Sequence, residues 1–331
     1  MRFSQEIACP VKGEAIAPGQ VKTYRDIFPM SGESWERLRL VLHNTVIIGS
    51  GDDAVPLGGF QMLKGINLRT SRNEQPVSIP GMGLYYLNLF DKKTEPYFDP
   101  IAVGSAEYLA AIDIPFAFNF MSYADDLLLQ TKRYSHLELE LAIGTIADLY
   151  ETPGTASVVS TFDIILSRSK NPFLEEKKEE KKKFEAMAFI RKLAPFNPAT
   201  QPYILIESAQ DLALFGFILV AHEDATPGVA FSGTPSDILD SLTFKDPLLT
   251  YINGAPLSHF KTERKKYMGN SGADLTGIYL HLFSEDGSIL SAYGTYGVNA
   301  TKEIRLEMGS IVGAPADPQV DVILFGMRTL R

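Results

Sequence analysis

The sequence predicts an all-β fold of two tandem sandwich domains, and three observations carry that expectation. Apolar residues alternate with period 2 in short runs along most of the chain, as on strands with one face against a core. The order and spacing of these runs repeat between the two halves. The composition, with 20 Phe, 14 Tyr, 26 Gly and 20 Pro against one Trp, suits many short strands joined by turns. A length of 331 residues leaves room for two average domains. With 45% hydrophobic and 21% charged residues, a disordered chain, a collagen-like fibre and a disulfide-stapled miniature fold are excluded.

Residues 1–20 read as an extended segment, interrupted by Pro10, Gly13, Pro18 and Gly19. They show no basic start followed by an apolar run, so no secretory signal is expected. Arg2, Lys12, Lys22 and Arg25 are isolated, unlike the basic arm of a coat protein that condenses RNA. No window approaches 18 apolar residues, so no transmembrane helix is expected. The first sandwich is expected over residues 21–170, with strands at Leu38–His43, Ile114–Phe120, Leu137–Gly144 and Phe162–Leu166. Near residues 91–111 this half is longer than its counterpart. The stretch Asp91–Pro100, with two prolines and alternating charge, predicts a surface loop that projects outward or meets another subunit.

Residues 171–194 predict a linker helix. Asn171 suits the N-cap and Pro172 the first helical position, Glu175 and Glu176 lie at its positive end, and Arg191 and Lys192 at its negative end before Pro195. Glu175–Lys178 and Glu179–Lys183 add pairs three and four apart.

The second sandwich is expected over residues 195–331. Phe217–His222 repeats Leu38–His43, Ile278–Leu282 repeats Ile114–Phe120, and Lys302–Gly309 repeats Leu137–Gly144. Val320–Leu324 repeats Phe162–Leu166, and each of these last strands leads to an arginine, Arg328 or Arg168. Asn253-Gly254 and Asp286-Gly287 predict tight hairpins. Eight short strands per half, with no core segment of helical period, match a jelly roll better than a propeller or a β-helix. The expected fold is therefore two tandem eight-stranded jelly rolls joined by a linker helix.

Catalytic chemistry is hard to find. There is no G-x-S-x-G elbow, no phosphate-binding G-x-x-x-x-G-K-[ST] loop and no G-x-G-x-x-G after a strand. The lone Cys9 has no second thiol for a disulfide or a shared zinc. His43, His136, His222, His259 and His281 form no H-x-H pair, and His259 with Glu263 supplies only two ligands. Asp52-Asp53 and Asp125-Asp126 are adjacent loop residues, not carboxylates facing each other across a cleft. Gly49-Ser50-Gly51-Asp52-Asp53 has the oxygen-rich composition of a calcium loop but reads as a solvated turn. No catalytic, cofactor-binding or metal-binding residue is assigned.

On Leu137–Gly144 with Phe162–Leu166, their repeat at Lys302–Gly309 with Val320–Leu324, and the hairpin over Thr250–Leu257, the chain resembles the double jelly-roll major capsid proteins. These coat tailless icosahedral viruses that contain an internal membrane, and the smaller bacteriophage members are similar in length. The resemblance spans roughly Val21 to Arg331. It implies a structural, non-enzymatic virion protein without a cofactor, made in the host cytoplasm. Its expected partners are two further copies in a pseudo-hexagonal trimer, neighbouring trimers, minor capsid or vertex proteins, and an internal lipid membrane. The terminus departs from members that begin with a basic or amphipathic membrane-contacting helix. A net charge of −9 argues against a general nucleic-acid-binding surface and fits a shell separated from its genome by lipid. The alternative is a non-enzymatic carbohydrate- or receptor-binding protein (a lectin, adhesin or spike), with Tyr293-Gly294-Thr295-Tyr296 stacking on sugars.

Overall fold

Strand order, more than strand content, defines the architecture. The computed structural model describes residues 5–29, 34–47, 54–100, 106–120, 128–152, 154–169, 186–207, 212–246, 250–283 and 303–329. In the first half, β1 (Gln5–Ile16), β9 (Ser157–Ser169), β3 (Ser34–Ile47) and β6 (Ala106–Pro115) form one antiparallel sheet in that order, with the short β7 (Leu129–Gln130) beside the start of β3. Against it lies the run β2 (Val21–Tyr24), β8 (Leu137–Ile143), β4 (Leu63–Thr70) and β5 (Val77–Ile79). Leaving β7 aside and counting strands along the chain, the sheets read first-eighth-third-sixth and second-seventh-fourth-fifth, the double Greek key of a jelly roll.

The second half repeats this order. One sheet is β10 (Ala186–Lys192), β18 (Gln319–Thr329), β12 (Leu212–Glu223) and β16 (Ile278–Leu282). The other is β11 (Tyr203–Glu207), β17 (Glu303–Met308), β14 (Ser241–Lys245) and β15 (Thr250–Pro256), and a short β13 (Thr234–Pro235) pairs with the end of β12. The four repeated segments read from the sequence occupy matching places: β3 with β12, β6 with β16, β8 with β17 and β9 with β18.

The halves are fused as well as consecutive. β10 pairs in parallel with β5, Ile190 opposite Val77 and Arg191 opposite Ser78, so one sheet of each half joins into a continuous sheet. Phe217, Leu219 and Ala221 of β12 enter the core beneath β14 and β17, while Phe215, Ile218 and Val220 enter the core shared with the first half. Burial on both faces is why Leu212–Ala221 is apolar without interruption, whereas β8 alternates strictly between buried and half-buried positions.

Three α-helices occur among the described residues: the single turn α1 (Gly58–Gln61), α2 (Gly81–Lys92) and α3 (Leu257–Met268). The sequence reading placed no helix at any of them. In α2, residues 81–91 are all buried, so no polar stripe marks a helical period. Its glycines permit close packing: a Cβ on Gly81 would stand 2.4 Å from the Phe60 carbonyl oxygen, and one on Gly83 2.6 Å from Ile79 Cγ1. α3 follows Pro256 as α2 follows Pro80, and both have 12 residues.

Other expectations need correction. The C-terminal part of the expected linker helix is β10, a strand pairing with both β18 and β5; residues 171–185 lie outside the described residues. Asn253-Gly254 makes a bulge instead of a hairpin turn. Leu242 faces Ala255 and Phe244 faces Ile252, leaving two residues opposite Thr243, with Gly254 at φ 57° and its N–H on Thr243 Oγ1 at 2.8 Å. The expected loop near residues 91–111 is largely structured: Asp91 and Lys92 end α2, Phe98 bridges Ala110, and β6 begins at Ala106. Lys92 also reaches the Asp113 carboxylate and Tyr85 Oη donates to Glu95 Oε1, so the Lys92–Glu95 segment is anchored to the body of the protein. The strand expected over Ile114–Phe120 stops at Pro115, and Phe116–Phe120 turn away to pack elsewhere. The N-terminal segment is extended, but it pairs with β9 as an edge strand of the first sheet.

Candidate functional site

The duplicated strands carry a duplicated polar pair. In the first half, His43 on β3 stands with Nε2 3.1 Å from Asp163 Oδ2 on β9, and the Gly13 N–H of β1 donates to Asp163 Oδ1 at 2.7 Å. Partial burial raises the Asp163 carboxyl, but the Gly13 N–H and His43 outweigh it and hold it below its ordinary range. In the second half, His222 on β12 lies with Nε2 3.6 Å from Asp321 Oδ2 on β18. The register is the same in both: Val41 opposite Asp163, and Val220 opposite Asp321.

Their surroundings differ. The His43 and Asp163 side chains are 41% and 22% exposed, against 2% and 0% for His222 and Asp321. Lys192 Nζ lies 2.8 Å from Asp321 Oδ1, and the Phe231 N–H donates to Asp321 Oδ2 at 2.9 Å. Burial, partly countered by the Asp321 charge, lowers the His222 pKa and favours its neutral form.

Phe231 lies directly on the second pair, and aromatic rings of the first half pack behind it and along the same face. Tyr86 of α2 meets Phe231 at 5.8 Å between ring centroids, and Phe231 meets His222 at 6.2 Å. Phe90 of α2 and Phe118 lie 5.2 and 5.9 Å from Phe325 of β18, and Phe118 lies 6.3 Å from Phe215 of β12. Asp91 holds this corner in place: it accepts from the Asn119 backbone N–H at 2.6 Å and from Nδ2 at 2.8 Å. The sequence marked Phe118 and Phe120 as strand residues on one face; their role in joining the halves depends on the turn after Pro115.

Among the described residues, the matching face of the first sheet, carrying Arg39, Val41, His43, Asp163 and Ile165, has no such aromatic cover. Its charges pair with one another instead. Asp113 accepts from Arg39 Nε at 2.7 Å and Nη2 at 3.1 Å and also binds Lys92, while Val159 near the start of β9 is 58% exposed.

The remaining polar groups form smaller sites. His259 of α3 and His281 of β16 stand 6.0 Å apart by ring centroids, and burial followed by the charge of His259 pushes His281 down to about 4. Cys9 is exposed on β1, its Sγ 3.2 Å from the Val11 carbonyl oxygen. Among the described residues, no three His, Cys, Asp or Glu side chains are grouped to hold a metal, and no helix is long and apolar enough to cross a membrane. Gly49–Asp53, Asp125-Asp126, Asp286-Gly287 and Tyr293–Tyr296 lie outside the described residues.

α3 is tied down by a charge cluster. Arg264 donates to both Asp237 oxygens at 2.7 and 3.0 Å, the Gly277 N–H donates at 2.9 Å, and Lys261 Nζ lies 3.2 Å away. Partial burial raises the Asp237 carboxyl, but Arg264, Gly277 and Lys261 outweigh it and bring it down to about 2 from an ordinary 3.8. A carboxyl depressed on folding stabilises the protein above its unfolded pKa, and that contribution disappears as pH falls through the folded one. The Asp237 contribution is therefore complete above about pH 4 and declines toward pH 2. Urea midpoints measured across this window should fall more steeply for the wild type than for Asp237→Asn; parallel curves would contradict the assignment.

With this geometry in place, the chain aligns almost end to end with several viral coat structures. The MCP of Sulfolobus Turreted Icosahedral Virus matches with a TM-score of 0.69 and 11% identity, over 98% of this chain and 97% of that one. The fold is the double jelly roll. The major capsid protein of bacteriophage PM2 shares this double jelly roll with a TM-score of 0.56 and 12% identity, covering 99% and 98% of the two chains. The PBCV-1 virus capsid gives 0.59, 10% identity, and 99% and 94% coverage. No family model and no curated protein matches the sequence.

Proposed function

We propose that the chain is the major coat subunit of an icosahedral virus shell, a structural virion protein acting by self-association as trimers, without catalysis or cofactor. One observation carries the proposal: the fold aligns over 98% of the chain with the MCP of Sulfolobus Turreted Icosahedral Virus. The chemistry is compatible. A lattice subunit needs broad side walls, since a specific interface buries on the order of 1,200–2,000 Å², and two sandwiches side by side supply them. Closed symmetry requires each copy to present the same patches. Minor capsid or vertex proteins and an internal membrane are further partners in this proposal, and the virion is its place of action after synthesis in the host cytoplasm.

Native mass spectrometry of the purified protein is expected to show three chains, and electron microscopy of the source particles a regular shell. A strict monomer in solution, together with particles lacking such a shell, would sink the proposal.

A further inference from the structure

Two opposite charges of the second half meet out of water on one face of its sheet. Lys192 of β10 lies opposite Ile323, and Asp321, two residues along β18, shares that face. Their side chains are 9% and 0% exposed, and Nζ stands 2.8 Å from Oδ1. The contact lacks hydrogen-bond alignment: among the described residues, Oδ1 accepts no hydrogen bond. One carboxyl bond further on, Cγ is within about 4 Å of Nζ, near the separation of roughly 3–3.5 Å from which held groups react. The other oxygen is held in place. Oδ2 accepts the Phe231 N–H at 2.9 Å and faces Gln319 Nε2 at 3.4 Å and His222 Nε2 at 3.6 Å. Phe231 reaches this position with φ at 54°, a left-handed backbone that a bulky residue adopts only under local constraint. Its ring covers Lys192 Nζ, 5.5 Å from the ring centroid, and meets Tyr86 of α2.

The site combines a desolvated amine, a carboxyl carbon within reach, and donors aimed at the oxygen on which charge develops during acyl transfer. From this geometry we infer that Lys192 and Asp321 condense to an amide, an internal cross-link between β10 and β18. The inference does not depend on the coat-subunit reading.

The step balances without a co-reactant. One proton crosses from Nζ to Oδ1, leaving an amine beside a carboxylic acid, neither of which needs water to solvate a charge. The Nζ lone pair then adds to Cγ, while the Phe231 N–H and Gln319 Nε2 stabilise the negative charge on Oδ2. Oδ1 takes a second proton from Nζ and leaves as water when the Cγ–Oδ1 bond breaks. The ion pair is thus the newly folded state and the amide its slow product. Because β10 also pairs with β5 of the first half, the link fastens the continuous sheet at its junction. The first half provides the contrast: β1 presents the Gly13 N–H to Asp163 where β10 presents an amine to Asp321, so Asp163 stays a free carboxylate.

Intact mass spectrometry of the full chain, taken on purification and again through several weeks of storage at neutral pH, tests the inference. The mass should reach a value about 18 Da below that of the sequence, the loss of one water. Tryptic mapping should place the loss in a branched peptide that joins Lys192 to Asp321 and is uncut after Lys192. The branch should survive hydroxylamine, which reopens the succinimide that a dehydrated Asp286-Gly287 would give with the same loss of mass. Lys192→Arg keeps a positive charge opposite Asp321 but carries no amine to condense, so its mass should stay at the sequence value. A wild-type mass that never falls, or a loss of water that maps to other residues, overturns the inference and leaves the coat reading untouched. The same loss in Lys192→Arg overturns it as well. If that variant does not fold, the wild-type peptide map decides.

Discussion

Replacing Phe325 with alanine is expected to lower the free energy of unfolding by about 3–5 kcal/mol, the range for removing a large, fully buried aromatic side chain. Phe325 is 0% exposed and sits where the halves meet, 5.2 Å from Phe90, 5.9 Å from Phe118 and 6.3 Å from Phe120 by ring centroids. Its loss opens a cavity that α2 and the turn after Pro115 cannot both move to fill, because Asn88 and Lys92 of α2 are held on Asp113 and Asp91 holds Asn119. Equilibrium urea unfolding measures the loss. Val159→Ala is the control: its side chain is largely exposed on β9, and such surface changes usually stay within about 0.5 kcal/mol. A Phe325→Ala cost as small as the control's would mean that the seam is not packed as described.

The second large effect is expected at Asp321. Substitution by alanine leaves the Lys192 ammonium, only 9% exposed, without its carboxylate and removes the acceptor for the Phe231 N–H. Breaking one side of a buried ion pair in this way costs about 3–5 kcal/mol. Replacing both partners, Asp321→Leu with Lys192→Met, should recover most of that loss, because no isolated charge then remains inside. The repeat supplies a comparison within the same molecule: Asp163→Ala, at the equivalent but half-exposed position, should cost no more than about 1 kcal/mol. Equal losses at Asp163 and Asp321 in urea unfolding would show that burial does not distinguish the two sites.

Period-2 patterning made β8 and β17 legible, since each has one face on a core and one that is half-buried, while β16 and β18, buried on both faces, were read from their place in the repeat. Their order and spacing also revealed the duplication, and with it the jelly-roll topology. α2 was not legible: a helix buried all round has no polar face to mark its period, and Gly81 and Gly83 serve close contacts with Phe60 and Ile79 that no local pattern shows. α3 does have a polar face, but Asn253-Gly254 just before it gave the stronger turn signal. The His43–Asp163 and His222–Asp321 pairs could be found only in part. The matched histidines were visible in the repeat, whereas their partners lie 120 and 99 positions away along the chain and meet them only through strand pairing.

By itself, the sequence determined which runs alternate and that the second half retraces the first. Ala186–Lys192 shows what tertiary structure decided. Its apolar run has no period that separates helix from strand, and the segment is a strand because β18 and β5 offer hydrogen-bonding edges on both of its sides. The same pairing joins one sheet of each half into a continuous sheet, and it sets Lys192 beside the buried Asp321. Local sequence encodes a strand's period and its preferred face, but the element that covers that face comes from residues far away in the chain, and only folding brings them together.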